Sequence, residues 1–166
     1  ANWIKPFTFY GGFGIGTGVN YSTPDGLEPF VGHTENYSFG FALRPTSRMR
    51  VEAYYNLNRF RAPEGFQGRT GGQLPVFDNH LNRTKVSFQF TRALSVRAIA
   101  DYYFLAPNME LFNSDRYKQL TGDVLLTYLV NPGTALQIGY NNGFENLAAD
   151  VNGLPGLQRS GPPTYL

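Results

Sequence analysis

The chain of 166 residues has no cysteine, so a disulfide framework and a thiolate metal site are both excluded. Charge is scarce and balanced: 14 basic against 12 acidic side chains give a net charge of +2, too little to mark a nucleic-acid partner. No apolar run approaches the roughly 18 residues of a spanning helix. The longest, VLLTYLV at 124–130, is strand-length and contains Thr127. The opening, ANWIKPFTFY, has no charged start and no apolar stretch, so no leader peptide is expected in it. No Gly-x-Ser-x-Gly elbow and no Gly-Lys-Ser or Gly-Lys-Thr step occurs either, which removes the common signatures of a serine hydrolase and a P-loop.

What the chain has in quantity is Phe, Tyr and Gly: 14, 11 and 19 residues. That mix is poor in helix formers and suits a pleated surface, so an all-β protein is expected. The periodicity agrees, because it is two rather than 3.6. Tyr37, Phe39, Phe41 and Leu43 alternate with small or polar residues, as do Met49, Val51, Ala53, Tyr55 and Leu57. Val86, Phe88 and Phe90 continue the pattern, followed by Leu94, Val96, Ala98, Ala100, Tyr102 and Phe104. The last pair places Leu120, Val124, Leu126, Tyr128, Val130, Leu136, Ile138 and Tyr140 on one side.

Seven strands are predicted, at about 7–19, 36–44, 48–60, 84–91, 94–104, 119–130 and 134–142. RPTSR, TRAL and VNPGT join three hairpins, Pro132-Gly133 being the firmest turn signal. Matching of faces sets Arg44 near Arg48, Phe90 near Leu94, Val130 near Thr134 and Arg83 opposite Asp101. The other connections, 62–80, 106–118 and 143–166, are long and rich in Gly, Pro, Asn and Asp. Short turns at one end and long loops at the other are the habit of transmembrane barrels.

The stretch GGFGIGTGVNY at 11–21 fits the same scheme. Phe13, Ile15 and Val19 take odd positions and Gly12, Gly14, Gly16 and Gly18 even ones. A dinucleotide fingerprint needs glycines at i, i+2 and i+5, yet Gly12 and Gly14 lead to Thr17, and Gly14 and Gly16 to Val19. A strand with one greasy and one bare face is expected, the bare face making room for bulky neighbours, a plug or a bend.

These features predict an all-β, antiparallel, up-and-down transmembrane β-barrel segment spanning residues 1–166 as one unit. The candidate lumen-facing residues are Arg44, Arg48, Arg50, Glu52, Lys85, Arg97, Asp101 and Asp123, of both signs as in a charge-balanced lumen. The candidate lipid-facing girdle is Tyr37, Tyr102, Tyr128 and Tyr140. A soluble β-sandwich binding module, its charged side simply wet, is the competing architecture.

YSFGFALRPTSRMRVEAYYNLNRFR, VFDNHLNRTKVSFQFTRALSVRAIADY and GDVLLTYLVNPGTALQIGYNNGFENL together resemble the C-terminal region of an uncharacterised bacterial family. The resemblance covers residues 37–147. It implies an outer-membrane barrel that follows an N-terminal domain like a family 9 carbohydrate-binding module, and it brings no catalytic residues. Seven strands are an odd number for a bacterial barrel. The start of the barrel and its closing C-terminal strand are therefore expected from residues outside these 166, or from another chain. The expected partners are the outer-membrane bilayer, the rest of the barrel, and carbohydrate or small solutes.

Other chemistry is thin. His33 and His80 are expected in loops, and Asp78 beside His80 is too little for a metal site. Glu145, Asp150 and Asn152 offer oxygens, but not at EF-hand spacing. No enzyme activity, cofactor or metal is expected. Arg44, Arg48 and Arg50 read either as a solvated turn or as a contact for lipid headgroups or a periplasmic partner. Phe60, Phe66, Phe77, Phe112 and Tyr117 either stack on sugars or pack the loops over the barrel mouth.

Overall fold

A computed structural model describes residues 7–68, 72–146, 158–159 and 164–165. Seven long antiparallel strands follow one another in a single sheet: β1 (Thr8–Asn20), β2 (Phe30–Thr46), β3 (Met49–Arg61), β4 (Pro75–Gln89), β5 (Leu94–Pro107), β6 (Tyr117–Asn131) and β7 (Thr134–Asn146). Two-residue strands β8 (Gln158–Arg159) and β9 (Thr164–Tyr165) pair with β7. Among the described residues the sheet is open, since β1 pairs only with β2 and makes no ladder with β7. A single 3-10 turn, Phe66–Gly68, is the only helical element among the described residues, and none is long and apolar enough to cross a membrane.

The ladder joins like faces throughout. One register row runs Leu43, Val51, Val86, Ala98, Val124, Tyr140, and the next runs Met49, Phe88, Val96, Leu126, Ile138. The alternation in the sequence thus becomes one continuous apolar face. Among the described residues no second layer covers it: Phe9, Phe13, Ile15, Phe39, Leu126, Leu136 and Ile138 are all exposed. The only buried hydrophobics among the described residues are Phe60, Ala62, Val76 and Leu111, and they form a small cluster at the long-loop end.

The hairpins are tighter than the sequence suggests. β2 and β3 close at Thr46–Met49 around Ser47 and Arg48, with a register shift between Leu43 and Thr46. Arg48 is therefore a turn residue, not the start of a strand. β6 and β7 close at Asn131–Thr134, one pair later than the expected Val130–Thr134, after a shift at Leu129/Asn131. Pro132 and Gly133 form that turn, and Gly133 has φ 97°, a conformation that favours glycine. Phe90 and Leu94 do meet, through the Phe90 N–H and the Leu94 carbonyl at 2.9 Å.

At the other end the strands run further than expected. β2 starts at Phe30 rather than 36, and β4 at Pro75 rather than 84. β5, β6 and β7 also extend into the expected loops. His33 and His80, expected in loops, are strand residues paired with Arg61 and Leu57. The cause is a reversal of polarity along the strands. Beyond the row Phe13–Tyr37–Leu57–His80–Phe104, the face that was apolar carries Glu35, Arg59 and Asp78. The opposite face there carries Phe30, Phe60 and Phe77. Backbone hydrogen bonds continue through the reversal because they do not depend on which face is apolar.

Candidate functional site

The polar face is lined by alternate residues of every strand. Three shallow hollows open along it, from Arg44 to Gln137, from Ile99 to Asn141, and from Tyr10 to Lys85. Its two ends differ in kind.

The loop end is closed by an apolar cap. Phe60 stacks on Phe77 with ring centroids 5.6 Å apart and planes 11° from parallel, and Phe77 meets Phe112 at 5.0 Å. Phe30 meets Phe66 at 4.3 Å. The segment after β5 is drawn across the face: Asn20 is buried and its Nδ2 donates to the Leu111 carbonyl at 2.7 Å, while the Asn113 N–H donates to Ser22. The loop aromatics therefore pack against each other. Phe60, Phe77 and Tyr117 belong to strand ends rather than loops, and Tyr117 sits against Tyr103 at 5.6 Å.

The bare glycines serve this packing in part. A methyl group at Gly32 would come within 2.7 Å of the Phe60 ring, and one at Gly18 within 3.3 Å of it. At Gly40 a methyl group would enter the ring of Tyr10, which lies directly across from it. Gly12 and Gly16 face only Ser38 and Thr34. On β1 itself only Gly18 is backed by a ring, that of Phe60, and Gly12, Gly14 and Gly16 remain exposed.

The middle of the face carries matched charges. Glu52 accepts from Arg50 at 2.7 Å and from Lys85 at 3.2 Å. Arg83 and Asp101, directly opposite in register, are 3.4 Å apart. Asp123 is held by Asn141 across the β6–β7 ladder. These pairs are all partly exposed, so they set local charge far more than stability.

The short-turn end is different. A cleft of about 620 Å³ is lined by Arg44, Arg48, Arg50 and Arg97, with Ser87, Ser95, Thr127, Gln89 and Gln137 between them, and by no carboxylate among the described residues. Arg50, Ser87 and Arg97 share one register row. Seven of the eight expected lumen residues therefore lie on strands and project to one face, and the eighth, Arg48, reaches the same cleft from its turn. Arg48 also donates to the Phe90 carbonyl at 3.2 Å, tying two hairpins together.

Tyr37, Tyr102, Tyr128 and Tyr140 all lie exposed on the apolar face, but on four different register rows. A denser aromatic group, not anticipated from the sequence, surrounds His80. Its Nδ1 is 2.8 Å from the Tyr55 hydroxyl, its ring stacks on Phe104 at 5.4 Å, and Lys118 lies over Phe104 at 5.3 Å. Asp78 turns away from His80 toward Arg61 at 3.0 Å and Arg59 at 3.9 Å. No group of three metal-ligating side chains occurs among the described residues. Glu145 is 3.3 Å from the Gln119 amide, and Asp150 and Asn152 lie outside the described residues. No family model, curated protein or solved structure matches the chain.

Proposed function

We propose that the chain forms part of the wall of an outer-membrane β-barrel that passes or gates a small solute. In this reading the apolar face meets lipid and the polar face lines the lumen. The observation that carries it is the placement of hydrophobic surface: an uncovered apolar face along seven strands, against a charged hollow on the other side. A sandwich would press that face onto a second sheet. In lipid no second layer is needed.

Dimensions support the same reading. The apolar row on β5 runs from Leu94 to Phe104. Ten residue steps of about 3.3 Å, tilted by about 40°, rise about 25 Å, the height of a barrel's apolar band. The Tyr55–His80–Phe104 group then falls at the loop-side interface, where aromatic girdles belong. Charged residues begin on that face immediately beyond it. Closure requires partners for β1 and β7, because an unpaired edge is not tolerated in hydrocarbon. Those partners would be strands from a longer chain or another copy, which accords with the resemblance to the barrel region of a two-part family.

The test uses the full-length protein in outer membranes, run boiled and unboiled on a denaturing gel and then reconstituted in a planar bilayer. A heat-dependent mobility shift with stable conductance is expected. A shift without current would assign the barrel to anchoring its companion domain instead. A protein that partitions to the soluble fraction without a shift would refute the membrane reading.

A further inference from the structure

The matched charges of the middle of the polar face stop short of its turn end. Four guanidinium groups line the cleft there, and the two carboxylates nearest to it are already engaged, Glu52 by Arg50 and Lys85 and Asp123, which lines the next hollow with Arg97, by Asn141. Arg44 and Arg97 have no acidic partner among the described residues. Such crowding of like charges in one hollow raises the local concentration of counter-ions.

The row geometry is suited to an oxyanion. Arg50 and Arg97 flank Ser87 on adjacent strands, so their backbones are about 10 Å apart, twice the strand spacing. An anion over Ser87 can be held by the Arg97 fork on one side, by the part of the Arg50 fork that Glu52 leaves open on the other, and from below by a hydroxyl. The cleft volume is in the range of small-molecule sites.

We propose that this cleft binds a small multivalent oxyanion, of the phosphate or dicarboxylate class, through Arg44, Arg50 and Arg97, with Arg48 at its rim. That the site sits in a conducting lumen, and so makes the pore anion-selective, rests on the barrel reading above. Binding itself does not. The face also decides between two sources of phosphate. Arg44, Arg50 and Arg97 are on the side opposite the apolar face, so the ligand is a free anion rather than a lipid headgroup.

The experiment is a titration of the full-length protein in neutral-detergent micelles with inorganic phosphate, over a chloride background, read by calorimetry. Saturable binding below about 10 mM is expected, with Arg44→Gln and Arg97→Gln each weakening it by about tenfold. Arg83→Gln, in the same face but paired with Asp101, should change it by less than about threefold. Each variant is first checked for the heat-dependent gel shift. Should a variant fail to fold, protection of Arg44 and Arg97 from phenylglyoxal by phosphate, mapped by mass spectrometry on the unsubstituted protein, reads the same site. No saturable binding, or no such protection, in a protein that shows the gel shift overturns the anion site and leaves the barrel standing. Phosphate binding without a gel shift keeps the site and refutes the barrel. If the two substitutions lower binding to vesicles containing phosphatidylglycerol but leave phosphate binding intact, the arginines serve lipid and the proposal fails.

Discussion

Replacing Val124 by arginine discriminates among lipid, water and protein as the medium outside the apolar face. Val124 lies on that face of β6, 45% exposed, between Ala98 and Tyr140 in register. It is four residues from Tyr128, the last β6 residue of the face before the register shift at Leu129, or about 13 Å along the strand. With a tilt of about 40° this is about 10 Å of depth, close to the midplane of a band about 25 Å high. In a bilayer Val124→Arg should then cost about 2–4 kcal/mol. Leu136→Arg, paired with Tyr128 at the turn edge, should cost about 0–1 kcal/mol because the side chain reaches the interface. Thr127→Arg on the polar face should stay within about 1 kcal/mol. The assay is reversible folding of the full-length protein into lipid vesicles across a denaturant series. Equal, near-zero costs at Val124 and Leu136 would refute the lipid reading, since a water-facing surface has no depth profile. A large penalty at both positions would instead indicate a protein layer packed on the face.

Three further outcomes are expected. Phe60→Ala removes a ring that is 4% exposed and should cost about 3–5 kcal/mol. Hydrogen exchange should show the loss confined to residues 21–29, 62–68 and 108–113, with β5–β6 pairing near the turns unchanged. Asp101→Asn should lower stability by less than about 1 kcal/mol in denaturant titration, because its partner Arg83 is mostly exposed, while shifting bilayer reversal potentials toward anion selectivity. Gly133→Ala should destabilise by about 1 kcal/mol in the same titration, because its φ of 97° is strained for any residue with a Cβ.

Period-two alternation was enough to read the antiparallel strands, their hairpin order and the facing of their side chains. A one-residue slip would put Phe88 or Leu126 beside Arg97, so the pairing of Arg83 with Asp101 was also legible. The asymmetry of short turns and long connections followed from Pro132-Gly133 and the brief gap at Thr91–Ala93. The loop-side starts of β2 and β4 were not legible. Around VFDNH the aromatic Phe77 lies on the face opposite the apolar pattern of Val86 and Phe88, and alternation read from one end only then suggests a loop. A second alternating frame with opposite phase, present at Glu35–Tyr37 and Arg59–Arg61, was the available signal.

The sequence by itself determined what is local. Each strand's two faces, each tight turn and the balance of charge depend on residues within a few positions of one another. The tertiary structure alone decided what gathers from distant positions. Phe30, Phe60, Phe77 and Phe112 become one cap because β2, β3 and β4 bring their loop ends together and the segment after β5 crosses over them. Arg97 joins Arg44 and Arg50 because β4 places a single strand, with Ser87, between β3 and β5. Hydrogen-bonded strand spacing, not sequence proximity, sets those distances, which is why the cap and the arginine cleft become visible only in the folded sheet.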